Sequence, residues 1–493
     1  MKFIWKMTSK FFLIFLLLFL KSGFLYAGFD VKIQGVFPGA EGKTIRLFEY
    51  SDLITFRQKQ IDSKVVDETG NFEFNLVIYE PQYVSFRIDH ARNGMYIEPG
   101  NTYEIEFSHL DFDAINDRRS LYIDPINIPF EIRNMPPDCI NSLIDSLDRM
   151  FDEFILENFS MSNYGRMGPL LVQFRELTDS VFTGIDKKYF KDYYDYKFGR
   201  FYNITNSKPA YNLALEYFFD MDVLYKNMEY MDYFNSYFEN FVINGSRNIR
   251  LYDIEFTVNE LGSYTALMDS LGKDSVLRNE VLREMVLLKS MDKLYNHRDF
   301  SKNNMSAILE EVANNSKFPA HRTIAENILW AKNHLTFGSD APDFLLVGGK
   351  GEEISLSDFE GKYLYLSFFT TWCVPCNAEL PVIETLYSEY ADIVEFVSVS
   401  VDRHTTPYYD YLRKNDFSWQ IFHFNDNFDM LDDYNVRSYP VFVLISPDGK
   451  IMNYPSLYPS IAIQGYFDNL RRIHQSTQRQ EERQRQLRLL NPE

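Results

Sequence analysis

The residues Trp372-Cys373-Val374-Pro375-Cys376 carry the most specific chemistry in the chain: two cysteines, two residues apart, that can cycle between a dithiol and a disulfide. They follow an apolar run at 363–369 that reads as a buried strand, and helical spacing resumes from Ala378 to Leu386. A strand-to-helix junction puts Cys373 at a helix N-terminus, where unpaired amide hydrogens and the helix dipole stabilise a thiolate. Cys373 is therefore the expected nucleophile. Cys376, one turn deeper, is the expected resolving thiol, attacking a mixed disulfide formed on Cys373. Pro375 restricts the first turn and favours closure of the small ring.

A second element stands far away in sequence. Pro440 directly precedes the apolar run 441–445, where a residue without an amide hydrogen cannot join a ladder, so a cis bond is predicted at Tyr439-Pro440. A zinc site would need another pair of ligands; His404 and His423 are isolated, so no metal is assigned. Cys139, in Pro136-Pro137-Asp138-Cys139, opens a predicted helix and is read as a buried structural residue.

The Cys-Val-Pro-Cys motif and the later Tyr439-Pro440 resemble the active site of the thioredoxin superfamily. Ala341-Pro342-Asp343-Phe344, the stretch 356–362 and Val399-Ser400-Val401-Asp402 are similar to its TlpA and ResA branch of exported thiol-disulfide oxidoreductases. The resemblance implies that Cys373 and Cys376 form the redox disulfide, that Trp372 shields it, and that Pro440 lies in cis against the sulfurs. It implies that the backbone at Tyr439 pairs with substrate and that Glu379 influences the thiols, with Pro381 kinking the helix. One position departs: Ser367 stands where thioredoxins carry a buried carboxylate, leaving Glu379 or water to assist the resolving thiol.

The rest of the chain must position this pair. Lys2, Lys6 and Lys10 precede an apolar stretch at 11–20, and Ala27 follows, the layout of a signal peptide at 1–27. Leu25 stands where a small residue is usual before cleavage, so an uncleaved anchor is the alternative. Period-two alternation at 31–34, 44–50, 72–76, 84–88 and 103–107 predicts an antiparallel β-sandwich domain over 28–110. Val66 to Phe74, followed by Tyr96-Ile97-Glu98-Pro99-Gly100, resembles an uncharacterised β-domain that often precedes thioredoxin-like domains in exported Gram-negative proteins. Helical periodicity then predicts an all-α domain over 111–335, its aromatic stripe around 189–196 read as interhelical packing. An α/β thioredoxin-like domain is predicted over 336–470, and a polar tail over 471–493.

Composition narrows the function. The formal charge of −20, moving to −24 if residues 1–27 leave, argues against nucleic acid as a partner. An exported chain with three cysteines does not use disulfides as structural staples, which reserves the Cys373 and Cys376 pair for function. The reading is a periplasmic thiol-disulfide oxidoreductase, without cofactor, acting on protein thiols and disulfides as a reductant fed by a membrane-bound donor. Two alternatives are set beside it. A peroxiredoxin-like peroxidase has Thr370 and Cys373 in its favour and Leu366, in place of a proline, against it. In a partner-binding scaffold protein the thiol chemistry would be secondary.

Overall fold

A computed structural model of the chain describes residues 28–112, 120–122, 125–158, 167–348 and 352–490. The expected signal segment at 1–27 lies outside the described residues. The chain has three parts: an N-terminal pair of sheets, a central helical region and a C-terminal α/β unit of thioredoxin-like fold.

The first part holds β1 (Phe29–Val36), β2 (Thr44–Tyr50), β3 (Gln58–Val65), β4 (Asn71–Ile78), β5 (Gln82–Ile88), β6 (Ala91–Ile97), β7 (Thr102–Phe107), β8 (Ile126–Asn127) and β9 (Phe130–Ile132). They form two sheets, ordered β4-β1-β7-β9 and β3-β2-β5-β6-β8. Val31, Ile33, Phe74 and Ile105 of one sheet and Ile45, Leu47, Val84 and Phe86 of the other close a common core, as period-two burial requires. Pairing is antiparallel except at β1–β7 and β6–β8. Strand β3 escapes the alternation rule because it lies at a sheet edge, where its sequence Gln-Lys-Gln-Ile-Asp-Ser-Lys-Val leaves no side chain fully buried. Strands β8 and β9 fall beyond residue 110, within the stretch expected to be helical; their pairing with β6 and β7 places them in the sheets.

Ten α-helices follow among the described residues, from α1 (Ile140–Asn158) to α10 (Pro319–Asn333). The aromatic stripe is core, as expected: Phe190, Tyr193, Tyr194, Tyr196 and Phe198 are all buried. Cys139 is buried and free, just ahead of α1. Glu98 fastens helices to sheet, accepting from the Ile140 amide at 3.1 Å and from Lys187 at 2.6 Å. One buried chain has a catalytic look: Tyr225 OH meets His321 Nε2 at 2.8 Å, and His321 Nδ1 meets Glu284 at 3.0 Å. Ser316 and Tyr264 also donate to Glu284, and His321 is wholly enclosed, so the network is a satisfied interhelical tie.

The C-terminal unit contains β10 (Leu345–Val347), β11 (Glu353–Ser355), β12 (Tyr363–Phe369), α11 (Val374–Tyr390), β13 (Val394–Ser400), α12 (Thr405–Lys414), β14 (Gln420–His423), α13 (Phe428–Asp433), β15 (Val441–Ile445), β16 (Ile451–Asn453) and α14 (Ile463–Leu490). Its sheet runs β11-β10-β14-β13-β12-β15-β16, with β12 near the middle, parallel to β13 and antiparallel to β15. Helix α14 seats Phe467 against Tyr365, Tyr390 and Phe396, then continues past residue 470 into the polar tail.

The sheets of the first part touch this unit through the turn between β5 and β6. Asp89 accepts from Lys43 at 2.7 Å and lies 3.7 Å from Arg403, while the His90 ring meets Phe428 edge-on at 5.0 Å. Burial, reinforced by Arg403 and Arg437, pushes the His90 pKa down to about 3. A folded pKa below the unfolded value of about 6.5 means that His90 contributes stability above pH 6.5 that is lost as pH falls toward 3. Mild acid should therefore loosen this junction, and His90→Asn should remove that part of the pH dependence. Limited proteolysis at pH 7.5 and pH 5 tests it; equal pH sensitivity of both proteins contradicts it.

Candidate active site

Strand β12 is buried along nearly its whole length and delivers Thr370, Thr371 and Trp372 to the end of the sheet. Cys373 is the N-cap of α11, with extended backbone (φ −74°, ψ 109°), and Pro375 lies in the first turn, where its missing amide hydrogen costs nothing. The Cys376 amide donates to Cys373 Sγ at 3.1 Å, an orphan helix donor aimed at the sulfur. The two cysteines are joined as a disulfide, with an S–S length of 2.02 Å. Cys373 and Cys376 are 0% and 1% exposed, whereas Val374 between them is 79% exposed.

The loop before Cys373 is held by Asp402, at the end of β13. Its carboxylate accepts from the Thr371 amide and the Thr371 hydroxyl, each at 2.9 Å, and from Ser400 Oγ at 2.6 Å. From the far side, Asn377 of α11 donates to the Thr371 carbonyl at 2.9 Å and accepts from Tyr411 at 2.5 Å. The sequence offered Asp402 only as part of a family motif. Its position two residues after the end of β13, the parallel partner of β12, cannot be read without knowing that β12 and β13 are neighbours.

The Tyr439–Pro440 bond is cis, as the sequence predicts, directly before β15. Trp372 stands edge-on to Tyr439, ring centroids 6.3 Å apart. Burial pushes the Tyr439 phenol well above its ordinary pKa. The Tyr439 amide is not open: it donates to the Leu121 carbonyl at 3.1 Å, and Tyr122 forms an isolated antiparallel bridge with Ser438.

Glu379 lies one turn beyond Cys376, largely buried, and its carboxylate accepts from Ser460 twice, from the amide at 2.8 Å and the hydroxyl at 2.7 Å. Ser367 is buried and shares a 2.7 Å hydrogen bond with Ser398, whose oxygen also accepts from the Trp419 indole at 2.9 Å. The place of the missing carboxylate is thus filled by a neutral hydroxyl network. Pro381 sits inside α11 without ending it, removing one helical hydrogen bond.

The model of the AhpC/TSA family matches residues 337–454. Over 131 residues the chain is 33% identical to thiol-disulfide oxidoreductase ResA of Bacillus subtilis, covering 26% of this chain and 73% of that one. Thioredoxin-like protein YneN of the same organism is 36% identical over 119 residues, 24% of this chain and 69% of YneN. Among solved structures, the thioredoxin domain of a thiol-disulfide oxidoreductase from Bacteroides vulgatus is 28% identical over 25% of this chain and 89% of its own, with a TM-score of 0.24. Through its C-terminal unit, the chain belongs to the ResA family of thiol-disulfide oxidoreductases.

Proposed function

We propose that this protein is exported and reduces disulfides in protein substrates, with Cys373 as nucleophile and Cys376 as resolving thiol. The Cys373 thiolate attacks one sulfur of a substrate disulfide, forming a mixed disulfide and releasing one substrate thiolate. The Cys376 thiolate then attacks Cys373 Sγ, releasing the second substrate thiol and leaving the Cys373–Cys376 disulfide. Two electrons pass to the substrate. A membrane-bound dithiol donor restores the pair.

The observation that carries this reading is Cys373 at the helix N-cap, its sulfur bonded to Cys376 and receiving the Cys376 amide hydrogen at 3.1 Å. The same amide and the α11 dipole favour a thiolate on Cys373 once the pair is reduced. Trp372 and Tyr439 flank the pair, Pro375 stiffens the turn, and Pro440 sets the chain direction into β15. Glu379, held by Ser460 one turn beyond Cys376, is the buried carboxylate on that helix face, and its role is to tune the resolving thiol. Export rests on the signal layout of residues 1–27; direction rests on the resemblance to the TlpA and ResA branch.

Trapping tests it. Cys376→Ser keeps the first attack and removes the second, so mixed disulfides should accumulate on Cys373, dissolve in dithiothreitol and yield substrate peptides by mass spectrometry. A folded, exported Cys376→Ser protein that captures nothing defeats the proposal.

A further inference from the structure

The surface position of Val374 and the complete burial of both sulfurs stand in tension. Exchange requires a substrate sulfur to reach Cys373 Sγ, so whatever closes the site must move. A segment from outside the C-terminal unit lies against the backbone that precedes the cis-proline. Leu121, like Trp372, packs on the apolar cluster that contains Cys373, Cys376 and Tyr439. Its carbonyl takes the Tyr439 amide hydrogen at 3.1 Å, and Tyr122 bridges Ser438 in antiparallel fashion. Strand β15 begins only at Val441, so this isolated bridge lies ahead of the strand and of the cis-proline.

The same stretch is tethered a few residues later. The Ile126 amide donates to the His90 carbonyl at 3.0 Å, and β8 lies parallel to β6. The β5–β6 turn in turn rests on the C-terminal unit through Asp89 with Arg403 and His90 with Phe428. A short piece of chain, anchored to the N-terminal sheets, is thus laid across the backbone edge beside the redox pair.

We propose that residues 120–122 form an intramolecular strap that occupies the backbone position at Ser438–Tyr439 and keeps Cys373 shut until a substrate displaces it. The strap defines what can displace it. A substrate must be an extended polypeptide that pairs antiparallel with Ser438–Tyr439, offers a carbonyl to the Tyr439 amide and brings an apolar side chain to the place of Leu121. Low-molecular-mass disulfides lack the length to do this. Among the described residues one backbone hydrogen bond, an isolated bridge and one half-buried leucine hold it, weakly enough to be exchanged, unlike a full strand. The inference rests on the reading of Cys373 and Cys376 as the exchanging pair.

The test uses the full chain, pre-reduced so that a single turnover needs no donor, as wild type, Leu121→Asp and the milder Leu121→Gly. Three quantities are read: the rate of Cys373 alkylation by iodoacetamide, the rate of insulin disulfide reduction, and amide hydrogen exchange at Tyr439 beside that at residues 441–445. Loss of the strap should accelerate alkylation about tenfold, the factor expected for one modest contact. It should also speed exchange at Tyr439 while residues 441–445 keep their protection. Wild-type alkylation rates in both variants, with Tyr439 exchanging faster, overturn the strap. So does a Tyr439 amide that exchanges like an open peptide in the wild type, a result that needs no variant to fold. If alkylation accelerates but no form reduces insulin, the strap stands and the reading of the pair as a protein-disulfide reductant fails. If all three reduce insulin equally fast, the reading stands and the strap fails.

Discussion

Cys373→Ser is expected to lower the rate of protein-disulfide reduction by on the order of 10³-fold or more, the usual consequence of deleting an attacking nucleophile. Serine at the N-cap keeps the α11 start intact, because its hydroxyl accepts the Cys376 amide as the sulfur does. The fold therefore survives, and the loss reports chemistry. Cys139 cannot substitute: it is 3% exposed and its sulfur accepts from the Ser142 amide at 3.4 Å. Insulin reduction with dithiothreitol as donor measures the effect. Cys376→Ser gives the complementary pattern, a first attack that proceeds and a turnover that stalls, so the two variants together assign the order of the steps. A Cys373→Ser protein that turns over at the wild-type rate would falsify the assignment of the nucleophile.

What could be read from the sequence follows the range of the forces involved. The Cys373 N-cap, the buried β12 and the cis bond at Pro440 are local consequences of a few consecutive residues, and they were legible as such. The alternating strands β1, β2, β4, β5 and β7 were legible because burial on one face writes a period of two into the chain. Strand β3 was not, since an edge strand with two wet faces carries no such period. β8 and β9 are too short to show one. The partners of the site residues were hidden for a different reason. Ser460 reaches Glu379 across 81 positions, and Leu121 meets Tyr439 from another part of the fold. Nothing in the local pattern of either segment announces such a meeting.

Asp402 is the clearest case of a residue whose weight comes from tertiary placement, and Asp402→Ala is expected to destabilise the C-terminal unit by about 3–5 kcal/mol. The carboxylate is 3% exposed and takes three hydrogen bonds, from the Thr371 amide, the Thr371 hydroxyl and Ser400. Alanine removes the acceptor from all three donors, of which the Ser400 hydroxyl is fully buried and the two of Thr371 partly so. Asp402→Asn keeps the volume but must present an amide NH₂ toward one donor, so it recovers part of the stability and not all of it. The consequence reaches the redox pair through one peptide: Thr371 precedes Trp372, and its carbonyl is held by Asn377 of α11. A freed Thr371 lets the Cys373 N-cap drift from the helix axis, weakening the amide and dipole that favour its thiolate. Asp402 is thus a positioning residue. Its loss should move the pH midpoint of Cys373 alkylation upward, toward the ordinary cysteine value of about 8.5. Thermal melting reads the stability and iodoacetamide labelling across pH reads the thiolate. A variant that melts lower but titrates like the wild type would make Asp402 a purely structural tie, with no hold on the chemistry of Cys373.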